Sequence, residues 1–286
     1  MQYPYRNQQG TFNNMQTATT RIMPLAFLVI LGSFFLLGTQ FAPVQTEHVG
    51  APANTSKLIL KPKRLPKKPL PDFSHIYNTQ EKKQQFFSYL MPIVEQVNKE
   101  VLIERSNISL LRHKSSLTNR DKTYLGKMAK KYRVKTELDN HTLFFKRLLK
   151  KVDQIPPSLV LAQAANESAW GTSRFAVEGN NLFGQWCFSK GCGLVPVRRD
   201  GDASHEVAKF SSVFNSVESY ILNLNRHSQY ADLRTIRLQL RNDEKPINGI
   251  QLANGLMGYS ERGQEYVDEI QSMIRFNNLA SLDKNS

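Results

Sequence analysis

Apolar residues recur at three- and four-residue intervals through Phe86, Phe87, Leu90, Met91, Val94, Val97, Val101 and Leu102, a spacing that predicts a helix. The stretches Asp121–Tyr132 and Leu138–Val152 behave in the same way. In the second, Phe144, Phe145, Leu148 and Leu149 form a face suited to packing on the body C-terminal to it. Pro156 and Pro157 fit the first turn of a new helix, where a missing amide is no loss, and Leu159-Val160-Leu161-Ala162 continue it toward Gly171. A loop rich in Gly and Asn, EGNNLFGQ, then leads to two short alternating stretches, Leu194–Arg198 and Glu206–Val213. Asp200-Gly201 between them is a turn signal, so a β-hairpin is predicted. Asn215 with Glu218 predicts a capping box for a helix to about Asn225. Ile247–Leu256 and Arg262–Phe276 complete the helical pattern, with Ser260 as the candidate N-cap of the last element.

The amino-terminal part has a different grain. Ile22 to Ala42 is an uncharged apolar run long enough to span a bilayer as a helix. Gln40 and Phe41 before Ala42 are poor cleavage-site residues, which favours an uncleaved anchor over a secretory signal. The expected organisation is a short cytoplasmic tail (1–21), a transmembrane anchor in an inner membrane (22–42) and a Pro/Lys-rich linker (43–71). A helical arm (72–137) and a folded domain (138–280) on the outer, periplasmic side follow. The alternative is release into the periplasm after cleavage. Pro62, Pro66, Pro69 and Pro71 make the linker extended, and at about 3.1 Å per residue it could reach on the order of 80–90 Å.

The net charge of +14 invites a nucleic-acid reading until its location is considered. Residues 156–286 hold 13 basic and 14 acidic side chains, so the excess belongs to the linker and the arm. A nucleic-acid partner is therefore not expected; weak attraction to an anionic polymer or lipid surface is. Cys187 and Cys192 are close enough to close a small disulfide loop in an oxidising compartment, and two cysteines alone cannot hold a structural zinc. The histidines form no ligand-spaced cluster, and neither a phosphate loop nor a nucleophile elbow is present. No metal or cofactor is expected.

Glu167 is the candidate for the chemistry, the alternative being a structural glutamate satisfied by backbone amides. It falls in the last turn of an apolar helix, where burial and the negative end of the helix dipole both oppose its ionised form. A carboxyl group kept protonated near neutral pH can donate to a glycosidic oxygen, as the acid glutamate of lysozyme does. Trp170 could shield it or offer a platform for a sugar face.

The stretch LAQAANESAWGTSRFAVEGNNLFG resembles the AxxESxWGxSxxAxxxNNLFG signature of glycoside hydrolase family 73, the peptidoglycan N-acetylglucosaminidases. Nearby, NNLFGQWCFSKGCGLVP and HEVAKFSSV resemble a group of bacterial Bax-type proteins. The resemblance implies an α+β, mostly α, lysozyme-like helical body with a small β-hairpin lobe, and peptidoglycan glycan strands as substrate. It makes Glu167 the catalytic acid, and places Asn180, Asn181 and Phe183 in a loop packed beneath the cleft. Tyr259 becomes the cleft tyrosine that positions an N-acetyl group, and Tyr266, counted with the cleft residues, an anchor of the last helix. The second carboxylate is expected on the hairpin, from Asp200, Asp202 or preferably Glu206, with Glu178 as a further candidate. A non-catalytic wall-binding protein is the competing expectation. The loop holding the two cysteines departs from the family's shorter link and is read as a stiffened cleft edge.

Overall fold

The computed structural model describes residues 57–64, 66–196 and 205–285. The run 22–42, the turn at 200–201 and Asp200 and Asp202 lie outside them. Among the described residues no helix is long and apolar enough to cross a membrane.

The chain is mostly helical. In order come α1 (Thr79–Arg112), α2 (Asn119–Lys131), α3 (His141–Lys151), α4 (Pro157–Ser168) and α5 (Arg174–Gly179). Three short strands follow, β1 (Trp186–Cys187), β2 (Gly193–Leu194) and β3 (Glu206–Ala208). The body closes with α6 (Val213–Arg226), α7 (Ala231–Asn242), α8 (Gly249–Ala253) and α9 (Gln264–Phe276). The α+β, mostly α, lysozyme-like class expected from the sequence is the one observed.

Helix α1 begins where Asn78 accepts from the Glu81 amide and buries Phe86, Leu90, Val94, Val97, Val101, Ile108 and Leu111 along one stripe. That stripe packs against α3, α4 and α6. The stretch expected as a separate arm is thus part of the same body, because its apolar face is covered by the later helices. Helix α4 is central: every residue from Pro157 to Ala165 is buried. An apolar helix without a polar face is stable only in such a position.

The linker also differs from expectation. From Lys57 to Arg64 and from Pro66 to Pro71 it is free of helix and strand, as its prolines require, but it lies along α1 as a strap rather than hanging free. The Asn107 side-chain amide accepts from Ile59 N at 2.7 Å and donates to Ile59 O at 2.9 Å, imitating a strand neighbour. Lys61 pairs with Glu104 at 2.6 Å, and Arg64 donates twice to Glu100, at 3.0 and 2.9 Å. Glu100 and Glu104 are almost wholly buried on α1, so they need these cations. Burial alone would raise the Glu104 carboxyl, but Lys131, Lys61 and the Tyr132 hydroxyl together hold it below the usual range.

The hairpin is a three-stranded antiparallel sheet in the order β1-β3-β2. Trp186 faces Val207 on one side of β3 and Leu194 faces it on the other. The second predicted stretch leaves the sheet at Ala208, well short of Val213, because Ser212 already caps α6 by accepting from Asn215 N. Ser212, not Asn215, is therefore the N-cap. At α9 the cap is Gly263 at φ 54°, not Ser260.

Two buried anchors fix α4. Asp153, in the turn before it, pairs with Arg241, whose Nη2 donates at 2.6 Å, while the buried Arg237 guanidinium donates to the Gln154 carbonyl at 2.9 Å. At the helix start, Asp283 accepts from Ser158 N at 3.0 Å, Ser158 Oγ at 2.6 Å and Gly249 N at 2.9 Å. One carboxylate thus caps α4 and α8 together. Asp283→Ala should cost about 2–3 kcal/mol by leaving buried donors unmatched. Urea unfolding measures this, and an unchanged midpoint would show that Asp283 does not anchor the helix.

Candidate active site

The site grows out of the last two turns of α4. Gln163 and Glu167 are four residues apart and so share a helix face. The wholly buried Gln163 amide accepts from the Tyr220 hydroxyl of α6 and donates to the Tyr266 hydroxyl of α9 at 2.8 Å. Tyr266 in turn donates to Glu167 Oε1 at 2.7 Å. The direction of each bond is set by the one before it, so the carboxyl of Glu167 always meets a donor. Tyr266 stays protonated, since burial and then the neighbouring Glu167 charge both push its phenol up.

Burial raises the Glu167 carboxyl above its ordinary range; the Tyr266 and Asn166 hydrogen bonds and the charge of Arg262 pull it back only in part. Beyond Glu167 the chain turns sharply, with Ala169 at φ 50°, Trp170 at 59° and Gly171 at 77°. A side chain on Gly171 would sit 2.8 Å from Phe73, so glycine is required there for space as well as conformation. Ser168 ties the turn by accepting from Gly171 N at 2.8 Å.

Glu167 opens on a cleft of about 910 Å³ whose lining includes Phe183, Gly184, Gln185, Trp186, Phe188 and Tyr259. Asn181 shapes its floor: its Oδ1 accepts from Phe183 N and Gln185 N, and its Nδ2 donates to Gln185 O and Ala208 O. Asn180 caps α5 in the left-handed region and donates to Phe210 O at 3.0 Å. Both asparagines hold the loop rather than line the cleft. Phe183 is buried, stacked on Tyr220 at 3.9 Å, and Tyr259 stacks on Tyr266 at 5.4 Å while donating to Phe183 O at 3.0 Å.

Several expected roles change. Trp170 does not line the cleft: the left-handed turn points its ring at α1, edge-on to Phe86 and Phe87, with Lys83 5.0 Å above it. Tyr266 is 1% exposed, too buried to meet substrate, and its partner is the acid itself. Glu206 is also buried, and its two oxygens accept from Gly191 N at 2.9 Å and Gly193 N at 2.8 Å. It clamps the loop closed by the Cys187–Cys192 disulfide and does not line the cleft. Glu178 is exposed on α5 beside Arg174 and is likewise not a lining residue. Cys187, Cys192 and Glu206 lie close enough for a shared ion, yet the sulfurs are bonded to each other and the carboxylate holds amides, so they offer no metal site.

The structure also supplies groups that the sequence does not single out. Trp186 is 60% exposed and stacks on His205 at 4.1 Å, with exposed Phe188 on the same cleft wall. Aromatic residues on both sides of Cys187 are the local signal for them. Gln163, an amide in an otherwise apolar helix one turn before the acid, is another such signal. Glu261 lines the cleft and is, with Glu167, one of two carboxylates to do so among the described residues.

A half-buried acid beside an open, aromatic-walled cleft is compatible with glycosidase chemistry. Residues 144–279 match the glucosaminidase family, described as mannosyl-glycoprotein endo-beta-N-acetylglucosaminidase. The chain is 32% identical over 208 residues to protein bax of Escherichia coli K12, covering 73% of this chain and 74% of that one. It belongs to the Bax-like group of the glucosaminidase family. No solved structure gives a significant match.

Two measurements probe this geometry. Tyr266→Phe removes a bond that favours the carboxylate, so the Glu167 pKa should rise further; a carbon-13 carboxyl titration that finds it unmoved or lowered contradicts the network. Glu206→Ala should speed hydrogen exchange at the Gly191 and Gly193 amides, and undiminished protection there would show that the clamp is not needed.

Proposed function

We propose that the chain is a peptidoglycan glycan-strand hydrolase, an endo-β-N-acetylglucosaminidase in which Glu167 is the general acid. The observation that carries this reading is the Glu167 carboxyl, raised by burial, held by Tyr266 and open to a cleft roomy enough for sugar rings. In the reaction the Glu167 proton passes to the oxygen of the scissile linkage as positive charge develops on the departing sugar ring. Trp186 and Phe188 supply faces on which sugar rings stack, and Tyr259 positions an N-acetyl group. The second group that assists the ring carbon is sought at Glu261, which lines the cleft, and at Asp200 and Asp202. The disulfide suits an oxidising compartment, and with the apolar run 22–42 it supports a periplasmic domain anchored in an inner membrane.

The competing reading, a wall-binding protein without catalysis, draws on the one observation that Glu206 is engaged as a loop clamp. Release of reducing ends from purified peptidoglycan separates the two. Glu167→Gln should lower the rate about 10²- to 10⁴-fold, the usual contribution of a general acid. The product's reducing sugar, identified by mass spectrometry after reduction, tells which bond is cut. Activity should fall as pH rises through the raised Glu167 pKa, because the acid form is the competent one. The same shift fixes the sign of a stability test. A raised folded pKa stabilises the fold at low pH and loses that contribution as pH rises through it, so Glu167→Gln should be at least as stable as the wild type at pH 8. Wild-type protein that binds wall but releases no reducing ends would transfer the reading to the non-catalytic alternative.

A further inference from the structure

Where the C-terminal ends of α2 and α6 reach the cleft, Arg133 and Arg226 both line its wall. Arg133 follows α2 in the left-handed region, at φ 52°, and Arg226 is the last residue of α6. Cations at helix ends commonly serve the terminal carbonyls, which would leave nothing to explain. Here other side chains already do so. Lys151 Nζ donates to Tyr132 O at 3.0 Å and Arg133 O at 2.9 Å, and lies 3.5 Å from Arg226 O. Arg234 donates to Leu224 O and His227 O, each at 2.8 Å.

The two guanidinium groups are therefore released toward the cleft. Arg226 Nε is buried and has no hydrogen-bond partner among the described residues. Burial, and then the charge of Arg133, both oppose the cation at Arg226, and Arg133 also acts on Lys151. Arg133 is exposed and Arg226 half-buried, so their like charges repel across the rim of the cleft, and the buried Arg226 donor left unmatched costs free energy. An anion seated between them relieves both costs, and a carboxylate suits the guanidinium fork.

We infer that Arg133 and Arg226 form a carboxylate subsite in the wall of the cleft, one that recognises the acidic substituent carried by every second sugar of a peptidoglycan strand. This rests on the proposed function and deepens it. The two sugars of that polymer alternate, and only one bears a lactyl ether, whose carboxyl is either free or extended by a short acidic peptide. The other sugar is neutral. A cationic subsite in the same groove as Glu167 therefore fixes the register of the strand, and with it which of the two alternating linkages lies over Glu167.

The test uses the full-length chain in detergent and three substrates. These are native glycan strands, strands whose carboxylates have been converted to methylamides, and strands stripped by an amidase so that only the lactyl carboxylate remains. The variants are Arg133→Asn, chosen because asparagine tolerates the left-handed backbone, and Arg226→Gln. On native strands each should raise KM about tenfold with kcat little changed, the mark of lost uniform binding. Methylamidation should raise the wild-type KM by a similar factor and add nothing to the variants. Variant sensitivity that survives on stripped strands assigns the lactyl carboxylate; sensitivity lost there assigns the peptide.

An unchanged KM on native strands overturns the inference. So does a defect that persists in full on methylamidated strands, which would mark a structural role. If the wild type releases no reducing ends at all, the proposed activity fails instead. Co-sedimentation with native against methylamidated sacculi then reads the subsite directly, and equal binding of the variants and the wild type to native sacculi overturns it.

Discussion

The structure turns on keeping one carboxyl group partly out of water without leaving it unmatched. A buried carboxylate with no donor would be unstable, and one with several strong donors would ionise too readily to act as an acid. Glu167 sits between these limits: burial raises its pKa, and a phenol whose own orientation is fixed supplies its hydrogen bond. A tenfold change in the ionisation constant corresponds to about 1.4 kcal/mol between the two protonation states, so the loss of one hydrogen bond is enough to move the balance. The chain of donors from Tyr220 through Gln163 to Tyr266 draws on three helices. Their packing is therefore as much a condition of the acid as the acid itself.

That dependence explains the buried charges at the start of α4. Asp283 grips the first turn of α4, and Asp153 with Arg237 and Arg241 fixes the turn just before it. The left-handed turn at 169–171 fixes the other end. A helix held at both ends cannot rotate or slide, and a small rotation would carry Glu167 away from Tyr266. The ionic groups thus contribute placement, which apolar contacts alone specify poorly.

Local patterns are legible in the sequence, and partners across the chain are not. The helical stripe of α1, the proline-opened α4 and the acid in its last turn follow from spacing a few residues long. The bond from Tyr266 to Glu167 joins residues 99 positions apart, and nothing local to Tyr266 announces it. Trp170 misleads for a similar reason: its neighbourhood suggests a sugar platform, but two consecutive left-handed residues turn its ring onto α1. The sheet is only half visible, because strands of two or three residues are too short to show an alternating pattern. Glu206 has the right residue type in the right lobe, and its engagement by two glycine amides is a property of the folded loop.

The basic excess shows how a bulk property divides once positions are known. Part of it neutralises acids that the fold itself buries: Lys61, Arg64 and Lys131 answer Glu100 and Glu104 on α1, and a proline-rich strap is thereby docked rather than left free. A second part, Lys151 and Arg234, occupies carbonyls at helix ends. These two uses are satisfied within the chain and need no partner. Arg133 and Arg226 belong to neither, since the carbonyls near them are already taken and Arg226 Nε is buried without an acceptor among the described residues. Composition alone points to a polyanion and suggests that the whole surface attracts it. Residue by residue, these cations divide between internal service and the wall of the cleft that holds the acid, and only the second group is left to meet a ligand.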